Sequence, residues 1–198
     1  MTGVLVDSEG HNQESTIKYG FQYYEYQNHP LSNKFNYAIS KFKNLDVDAV
    51  LIMGTDNFID YSMFAEYIKT IRNGYDLVGA LDSYIYDSLT DSTVYFGGYN
   101  NHRIGETLGA GRVLSKKVLT KLNYSPWKDG LSRNLDGSMW EKLKPLNIIE
   151  YKIQTKKNDF LLLGVKTDVF ISNVKKFKNV DRINKDILKK IPCLREYY

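Results

Sequence analysis

The residues of this 198-residue chain that could do chemistry are two aspartates, a few cations and one acidic turn. Asp56 ends the stretch Asp48-Ala49-Val50-Leu51-Ile52-Met53-Gly54-Thr55-Asp56-Asn57-Phe58. The apolar run Ala49 to Met53 is too short for an ordinary helix and rich in aliphatic residues. It reads as a strand buried on both faces, as in a parallel sheet. Ligands of open α/β sheets bind at the carboxyl ends of such strands. Gly54, Thr55, Asp56 and Asn57 occupy that end. Their oxygens suit a hard cation, Mg²⁺ or Mn²⁺, which could in turn hold a phosphate. Asp56 could equally form an Asx turn or cap the helix that starts near Tyr61.

Asp136 is the second aspartate. It stands where a helix opens, and the positive end of the helix dipole keeps it ionised. An ionised carboxylate aimed at a sugar hydroxyl could serve as general base, or Asp136 could be a plain N-cap. Lys34 and Arg112 could contact phosphates, although such residues are more often surface cations. Ser8, Glu9 and Gly10 follow a strand and could bind a base or ribose, or form a simple turn.

The elements that must position these groups follow in order. A strand spans Gly3 to Val6, and a short helix spans Ser15 to Gly20, with Gly20 as its cap. Phe21 to Tyr26 is an aromatic strand broken by Asn28-His29-Pro30. Ser32 reads as an N-cap, and Phe35, Ala38, Ile39 and Phe42 give the next helix its apolar face. After the strand at 49–53, a helix runs from Tyr61 to Asn73 with a stripe of Phe64, Tyr67, Ile68 and Ile71. Gly74 stops it. Asp76 to Leu81 is another buried strand. This alternation predicts an α/β fold with a mostly parallel central sheet and helices on both faces.

The pattern then changes. Tyr84–Tyr86 and Val94–Phe96 read as a hairpin. The segment Gly97 to Glu106 reads as a long functional loop. Ser115 caps a helix carrying Val118, Leu119 and Leu122. A further helix carries Met139, Trp140 and Leu143 and is stopped by Pro145. Ile148–Ile153 and Phe160–Val165 are late strands. The Lys-rich tail, about 172–198, is expected to be partly helical. Tyr95, Tyr99 and Trp127 could stack on sugar faces or lie in the core.

Composition narrows the function classes. The chain is 42% hydrophobic with net charge +4, enough for one domain over 1–198 with a substantial core. The charge is mild, without the dense basic face of a nucleic-acid binder. Lys152, Lys156, Lys157, Lys166, Lys175, Lys176, Lys178, Lys185, Lys189 and Lys190 read as solvated surface. One cysteine, Cys193, excludes an internal disulfide and fits a reducing compartment. The sparse His and Cys argue against zinc. No apolar run reaches membrane-spanning length, and there is no signal-peptide core, so a cytoplasmic location is expected.

These pieces together resemble the GT-A glycosyltransferases, and most closely the small family-2-like domains of large DNA viruses and some bacteria. Val6-Asp7-Ser8-Glu9 is similar to that fold's acidic turn, which reads the nucleotide base. Asn28-His29-Pro30-Leu31-Ser32-Asn33-Lys34-Phe35-Asn36 looks like the family's Asn-x-Pro-Leu-Gly-x-Lys-x-Asn stretch, whose basic and amide groups approach the nucleotide. Val50 to Phe58 matches the strand and DxD position. Gly105 to Arg112 and Leu135 to Trp140 look like the later donor and acceptor segments, and Asp136 falls where the family has its catalytic Asp.

The resemblance implies a single Rossmann-like GT-A domain and a metal-dependent, inverting glycosyltransferase. Its donor would be a nucleotide-sugar, most often a UDP-sugar, and its acceptor a glycan or glycoprotein. It would locate to the cytoplasm, that of the host if viral. Asp56 would bind Mn²⁺ or Mg²⁺, and Ser8, Glu9, Lys34, Asn36, Thr55, Asp56 and Arg112 would line the donor site. Two departures stand out: Gly54 replaces the first Asp of DxD, and the fold's first β-α unit has no counterpart before Val4. The expected partners therefore include a second copy or another chain completing the fold at the sheet edge near Val4 to Val6. A truncated, non-catalytic module that binds carbohydrate or a partner chain is the alternative.

Overall fold

Turn and cap chemistry sets several of the element ends. The computed structural model describes residues 2–100, 102–167 and 180–191, so Cys193 and Lys175, Lys176 and Lys178 lie outside the described residues. Strand β1 is Val4–Asp7, helix α1 is Gln13–Lys18 and β2 is Gln22–Glu25. Helix α2 is Leu31–Ser40, followed by β3 (Ala49–Ile52), β4 (Asn57–Ile59) and α3 (Tyr61–Arg72). Then come β5 (Leu77–Ala80), β6 (Ser83–Asp87), β7 (Ser92–Phe96) and β8 (Arg112–Ser115). Helices α4 (Lys116–Lys121) and α5 (Leu135–Leu143) precede β9 (Glu150–Ile153), β10 (Leu162–Lys166) and β11 (Val180–Ile183). Short 3-10 helices cover Lys144–Leu146 and Lys185–Lys190.

Two of the α-helices start on side-chain caps. Asp60 accepts a hydrogen bond from the Met63 amide at 2.8 Å and starts α3. Ser115 accepts from Val118 and starts α4. Gly74, at φ 87°, takes the left-handed conformation that ends α3. Ser32, expected as a cap, instead lies inside α2, fully buried. Its backbone amide donates to Leu131 O at 2.8 Å, and its hydroxyl accepts from the Leu131 amide at 2.9 Å.

The chain forms two compact units. One comprises Met1–Val50 and Leu114–Ile148, the other Leu51–Val113 and Ile149–Tyr198. The chain passes from one to the other within β3, within β8 and between Ile148 and Ile149. The first unit carries the parallel pair β1–β2, in register Val4↔Gln22 to Asp7↔Glu25, with α1, α2, α4 and α5. The second carries a five-stranded sheet in the order β11-β7-β6-β10-β4. A four-stranded sheet has the order β3-β8-β5-β9.

Strands are thus distributed over three sheets with mixed directions, rather than one mostly parallel sheet. β5–β9, β6–β10 and β1–β2 are parallel, whereas β6–β7, β7–β11 and β4–β10 are antiparallel. The physical reason lies in the connections. The short turn between β6 and β7 can join only antiparallel neighbours. β10 then adds beside β6 in the parallel sense while its other edge takes β4. β4, β8 and β11 have no counterpart among the expected elements. β11 and a 3-10 helix stand in the described part of the tail, which is expected to be partly helical.

Burial follows the sheets. Leu77, Val78 and Ala80 of β5 are solvent-free, as are Leu161, Leu162 and Leu163 at β10. Leu161 and Leu163 pack in a cluster with Tyr84, Tyr86, Leu188 and Ile191. β3 departs from expectation: Val50 and Ile52 are buried, but Ala49 and Leu51 are half-buried, so one face is enclosed rather than both. α3 buries Met63, Tyr67 and Thr70, and leaves Ile68 exposed. Its inner stripe is therefore rotated from the one that the aliphatic residues suggest. Among the described residues, no helix is long and apolar enough to cross a membrane.

Candidate functional site

In the second unit, β3 runs directly into the Gly54–Asn57 turn. The Asn57 amide donates to Gly54 O at 3.1 Å, and the Gly54 amide donates to Asn57 Oδ1 at 3.0 Å. Asp56 folds back over Gly54 so closely that a Cβ there would lie 2.6 Å from Asp56 Oδ1. Thr55 is exposed at the apex. The other Asp56 oxygen, Oδ2, is ion-paired with Lys166 Nζ from the end of β10, and these side chains are only 15% and 16% exposed. The main chain supports the pair: Asp56 O accepts from the Val165 amide at 2.8 Å, continuing the Asn57↔Gly164 register.

Lys166 is therefore not the solvated tail lysine that the sequence suggests. This bears on the cation expected at Asp56. The donor set at the turn is one carboxylate already neutralised by an ammonium. Among the described residues, no group of three or more His, Cys, Asp or Glu side chains is arranged to hold a metal. The residues do not fit a divalent cation at this position.

Arg112 also differs from a surface cation. It is fully buried. Its Nε donates to Thr107 Oγ1 at 3.1 Å and its Nη2 to Thr107 O, so the guanidinium braces the segment before β8. A phosphate arriving from solvent does not meet it.

In the first unit the acidic turn after β1 is organised by Asp7. Its Oδ1 accepts from the Ser8 amide at 2.7 Å, and its Oδ2 accepts from the Asn12 amide at 3.2 Å and from Asn12 Nδ2 at 3.0 Å. Partial burial pushes the Asp7 carboxyl up. The Asn12 and Ser8 hydrogen bonds and the Lys34 charge outweigh this and hold it below its ordinary value. Lys34, on α2, donates to Asn28 Oδ1 at 3.2 Å. Burial lowers its ammonium, against the opposing pull of Asp7 and Glu9. Ser8, Glu9 and Lys34 are thereby brought to one surface, with Asp7 as an organising residue that the candidate set omits. Glu9 itself is exposed and lies 3.4 Å from His11 Nδ1.

Asn36 is placed differently. Its Nδ2 donates to Trp127 O at 3.0 Å and to Asp129 Oδ1 at 2.8 Å, while its Oδ1 accepts from the Trp127 amide at 3.1 Å. Both ends of the amide hold the 127–129 loop. Beside it opens a cavity of about 380 Å³ bordered by Tyr26, Asn33, Tyr37, Ser40, Asn123 and Asp129. The Tyr26 and Tyr37 rings stack at 4.7 Å there.

Asp136 lies in the first turn of α5, half-buried, two residues after the helix's capping position at Asn134. The helix thus begins one residue earlier than the aspartate suggests. The rings expected to face sugars have internal contacts. Trp127 is buried against Phe35 at 5.1 Å. Tyr95 donates to Asp82 at 2.6 Å. Tyr99 lies under the Arg103 guanidinium at 3.7 Å.

No protein-family model matches the chain. No curated protein matches it either. Among solved structures, it is similar to A197 from STIV at 11% identity and a TM-score of 0.47, over 87% of this chain and 98% of that one. It is also similar to HddC from Yersinia pseudotuberculosis at 13% identity and a TM-score of 0.44, over 77% of this chain and 68% of that one. Likeness at this distance assigns no activity.

Proposed function

We propose that this chain transfers a sugar from a nucleotide-sugar, of the UDP-sugar kind, to an acceptor hydroxyl. The observation that carries the reading is the joining of two sequence motifs on one surface of the first unit. The Asp7-Ser8-Glu9 turn offers ionised carboxylate and hydroxyl groups, which suit the hydroxyls and ring edges of a nucleoside. Lys34, held by Asn28, adds a cation within electrostatic reach of that turn. A cation beside hydrogen-bonding groups is what a nucleotide needs, since its base and ribose want directional partners and its phosphates want positive charge. The polar turn at the carboxyl end of β3 is a second feature of the same kind.

The chemistry is a single displacement with inversion. Asp136 takes the proton from the acceptor hydroxyl. That oxygen forms a bond to the anomeric carbon as the bond from this carbon to the diphosphate oxygen breaks. The nucleoside diphosphate leaves with the electron pair. Asp136 suits the base role because it presents a half-buried carboxylate in the first turn of α5.

The test is release of nucleoside diphosphate from a panel of nucleotide-sugars by the purified full chain, with water or simple saccharides as acceptors. Asp136→Asn is expected to lower turnover by at least about a hundredfold, in the range of losing a general base. Its thermal transition should stay in place. Unchanged turnover in this variant removes Asp136 from the base role.

A second reading has its own observation. The cavity beside α2 joins stacked tyrosines to amide, hydroxyl and carboxylate groups, a combination suited to a saccharide's apolar face and hydroxyl rim. A non-catalytic carbohydrate-binding module would bind saccharides through it, and no nucleotide-sugar would turn over.

A further inference from the structure

The cavity beside α2 lies wholly within the first unit, and both of that unit's chain stretches contribute to its walls. One wall follows α4. The Asn123 amide donates to Thr120 O at 3.0 Å and the Tyr124 amide to Leu119 O at 2.8 Å, which ends the helix. Asn123 and Tyr124 both take the left-handed conformation, at φ 48° and 55°. A bulky aromatic residue seldom does so unless its surroundings hold it there. The opposite wall is tied by Asn36 to the 127–129 loop, and Asn33 Oδ1 accepts from the Gly130 amide at 2.9 Å. At about 380 Å³ the space stands near the small end of ligand pockets, which run roughly 300–1,000 Å³. It suits the end of a saccharide rather than a long stretch of one.

The two rings of the cavity are not equivalent. Tyr37 is covered: Tyr26 stacks on it at 4.7 Å, Lys41 Nζ lies over it at 3.8 Å, and Tyr24 meets it edge-on at 6.2 Å. Tyr26 is half-buried and among the described residues has no ring or cation contact besides Tyr37. It is therefore the ring with surface left to offer.

Two polar groups at the border are each half used. Asn33 engages its Oδ1, while its Nδ2 has no hydrogen-bond partner among the described residues. Asp129 accepts from Asn36 through Oδ1, and its Oδ2 has no such partner either. An N–H donor and a carboxylate oxygen beside an aromatic surface suit a pyranose, whose C–H face packs on the ring while its hydroxyls meet the polar groups. No lysine or arginine borders the cavity, and its one acidic residue, Asp129, has no ion pair among the described residues. A sugar carboxylate would therefore meet like charge and no counterion.

We infer that this cavity selects a neutral pyranose, stacked on Tyr26 and bonded by Asn33 Nδ2 and Asp129 Oδ2, and rejects sugars that carry a carboxylate. The inference rests on the saccharide reading of the cavity given above and does not depend on turnover.

The experiment is an NMR titration of the full chain with the methyl glycosides of glucose, galactose and mannose, each beside the methyl glycoside of its uronic acid. The members of a pair differ only at C6, where a hydroxymethyl group becomes a carboxylate. At least one neutral glycoside is expected to bind, and to bind about fivefold or more tighter than its uronic acid, the scale of one like charge at a rim. Tyr26→Ala should weaken that binding about tenfold, and Tyr26→Phe should retain it. Asp129→Asn keeps an oxygen for Asn36 and should close the gap within the pair. That readout holds even if Tyr26→Ala disturbs the neighbouring ring of Tyr37.

Equal binding of a neutral glycoside and its uronic acid by the wild type overturns the inference and leaves the saccharide reading intact. Undiminished binding by Tyr26→Ala, or a gap that survives Asp129→Asn, also overturns it. Absence of binding by every glycoside overturns the inference and the saccharide reading of the cavity together.

Discussion

Arg112 and Lys166 both depart from the roles that their sequence contexts suggest. Arg112 follows a glycine-rich segment and reads as a phosphate-facing cation, yet its guanidinium is sealed against Thr107. Lys166 reads as one of many tail lysines, yet it is paired and enclosed. Stability separates the two cases for Arg112. A surface cation changes stability by less than about 0.5 kcal/mol when replaced. Arg112→Met leaves a buried carbonyl and hydroxyl short of donors, and is expected to cost about 2–4 kcal/mol in urea unfolding.

Asp7 offers a pH test at the same scale. Its folded pKa lies below the ordinary value of 3.8, so as pH falls the unfolded chain takes up the proton first. The stabilisation is fully present above the ordinary carboxylate range and is lost as pH drops through the folded value. Asp7→Asn should be less stable than the wild type at neutral pH, and the gap should close on acidification. A gap that stays constant with pH would remove the charge from the explanation.

At the scale of elements, Asp60 is a clear case of one side chain serving two. Its Oδ1 caps α3 through Met63 at 2.8 Å, and its Oδ2 accepts from the Leu161 amide at 3.1 Å, just before β10. The helix start and the strand entrance thus share a carboxylate. Asp60→Ala should cost about 2–3 kcal/mol in chemical denaturation, more than the roughly 1 kcal/mol of a simple cap, because a buried amide is stranded as well. Asp60→Asn should recover part of that. The cap falls where sequence suggests a helix start, one residue before Tyr61. The bond to Leu161, 101 residues away, has no local sign.

At the scale of the molecule, the mixed sheets explain why the expected parallel architecture is only partly met. Alternating apolar runs and helices are visible in the first eighty residues, and α2, α3, β5 and the β6–β7 hairpin lie where periodicity and turn residues put them. β4 and β8 are too short and too polar at their ends to stand out; Arg112 and Ser115 bound β8, although all four of its residues are buried. The division into two units, each assembled from two stretches of chain, likewise leaves no composition shift at its borders.

What the sequence by itself determined is local: which stretches are helix, which are strand, where several of them stop, and that Asp56 ends a strand in a polar turn. These follow from side-chain period, capping and turn chemistry, which act over a few residues. What only the tertiary structure decided is who meets whom. Lys166 reaches Asp56 across 110 residues. The 127–129 loop uses up the amide of Asn36 across more than ninety. Arg112 is shut inside because it opens β8, a strand that the sequence does not mark and that lies between β3 and β5. Pairings of that kind depend on strand register and on the burial left after packing. A chain read in order does not carry either quantity, and so Asp56 read alone resembles a metal ligand while Asp56 in the fold is one half of an ion pair.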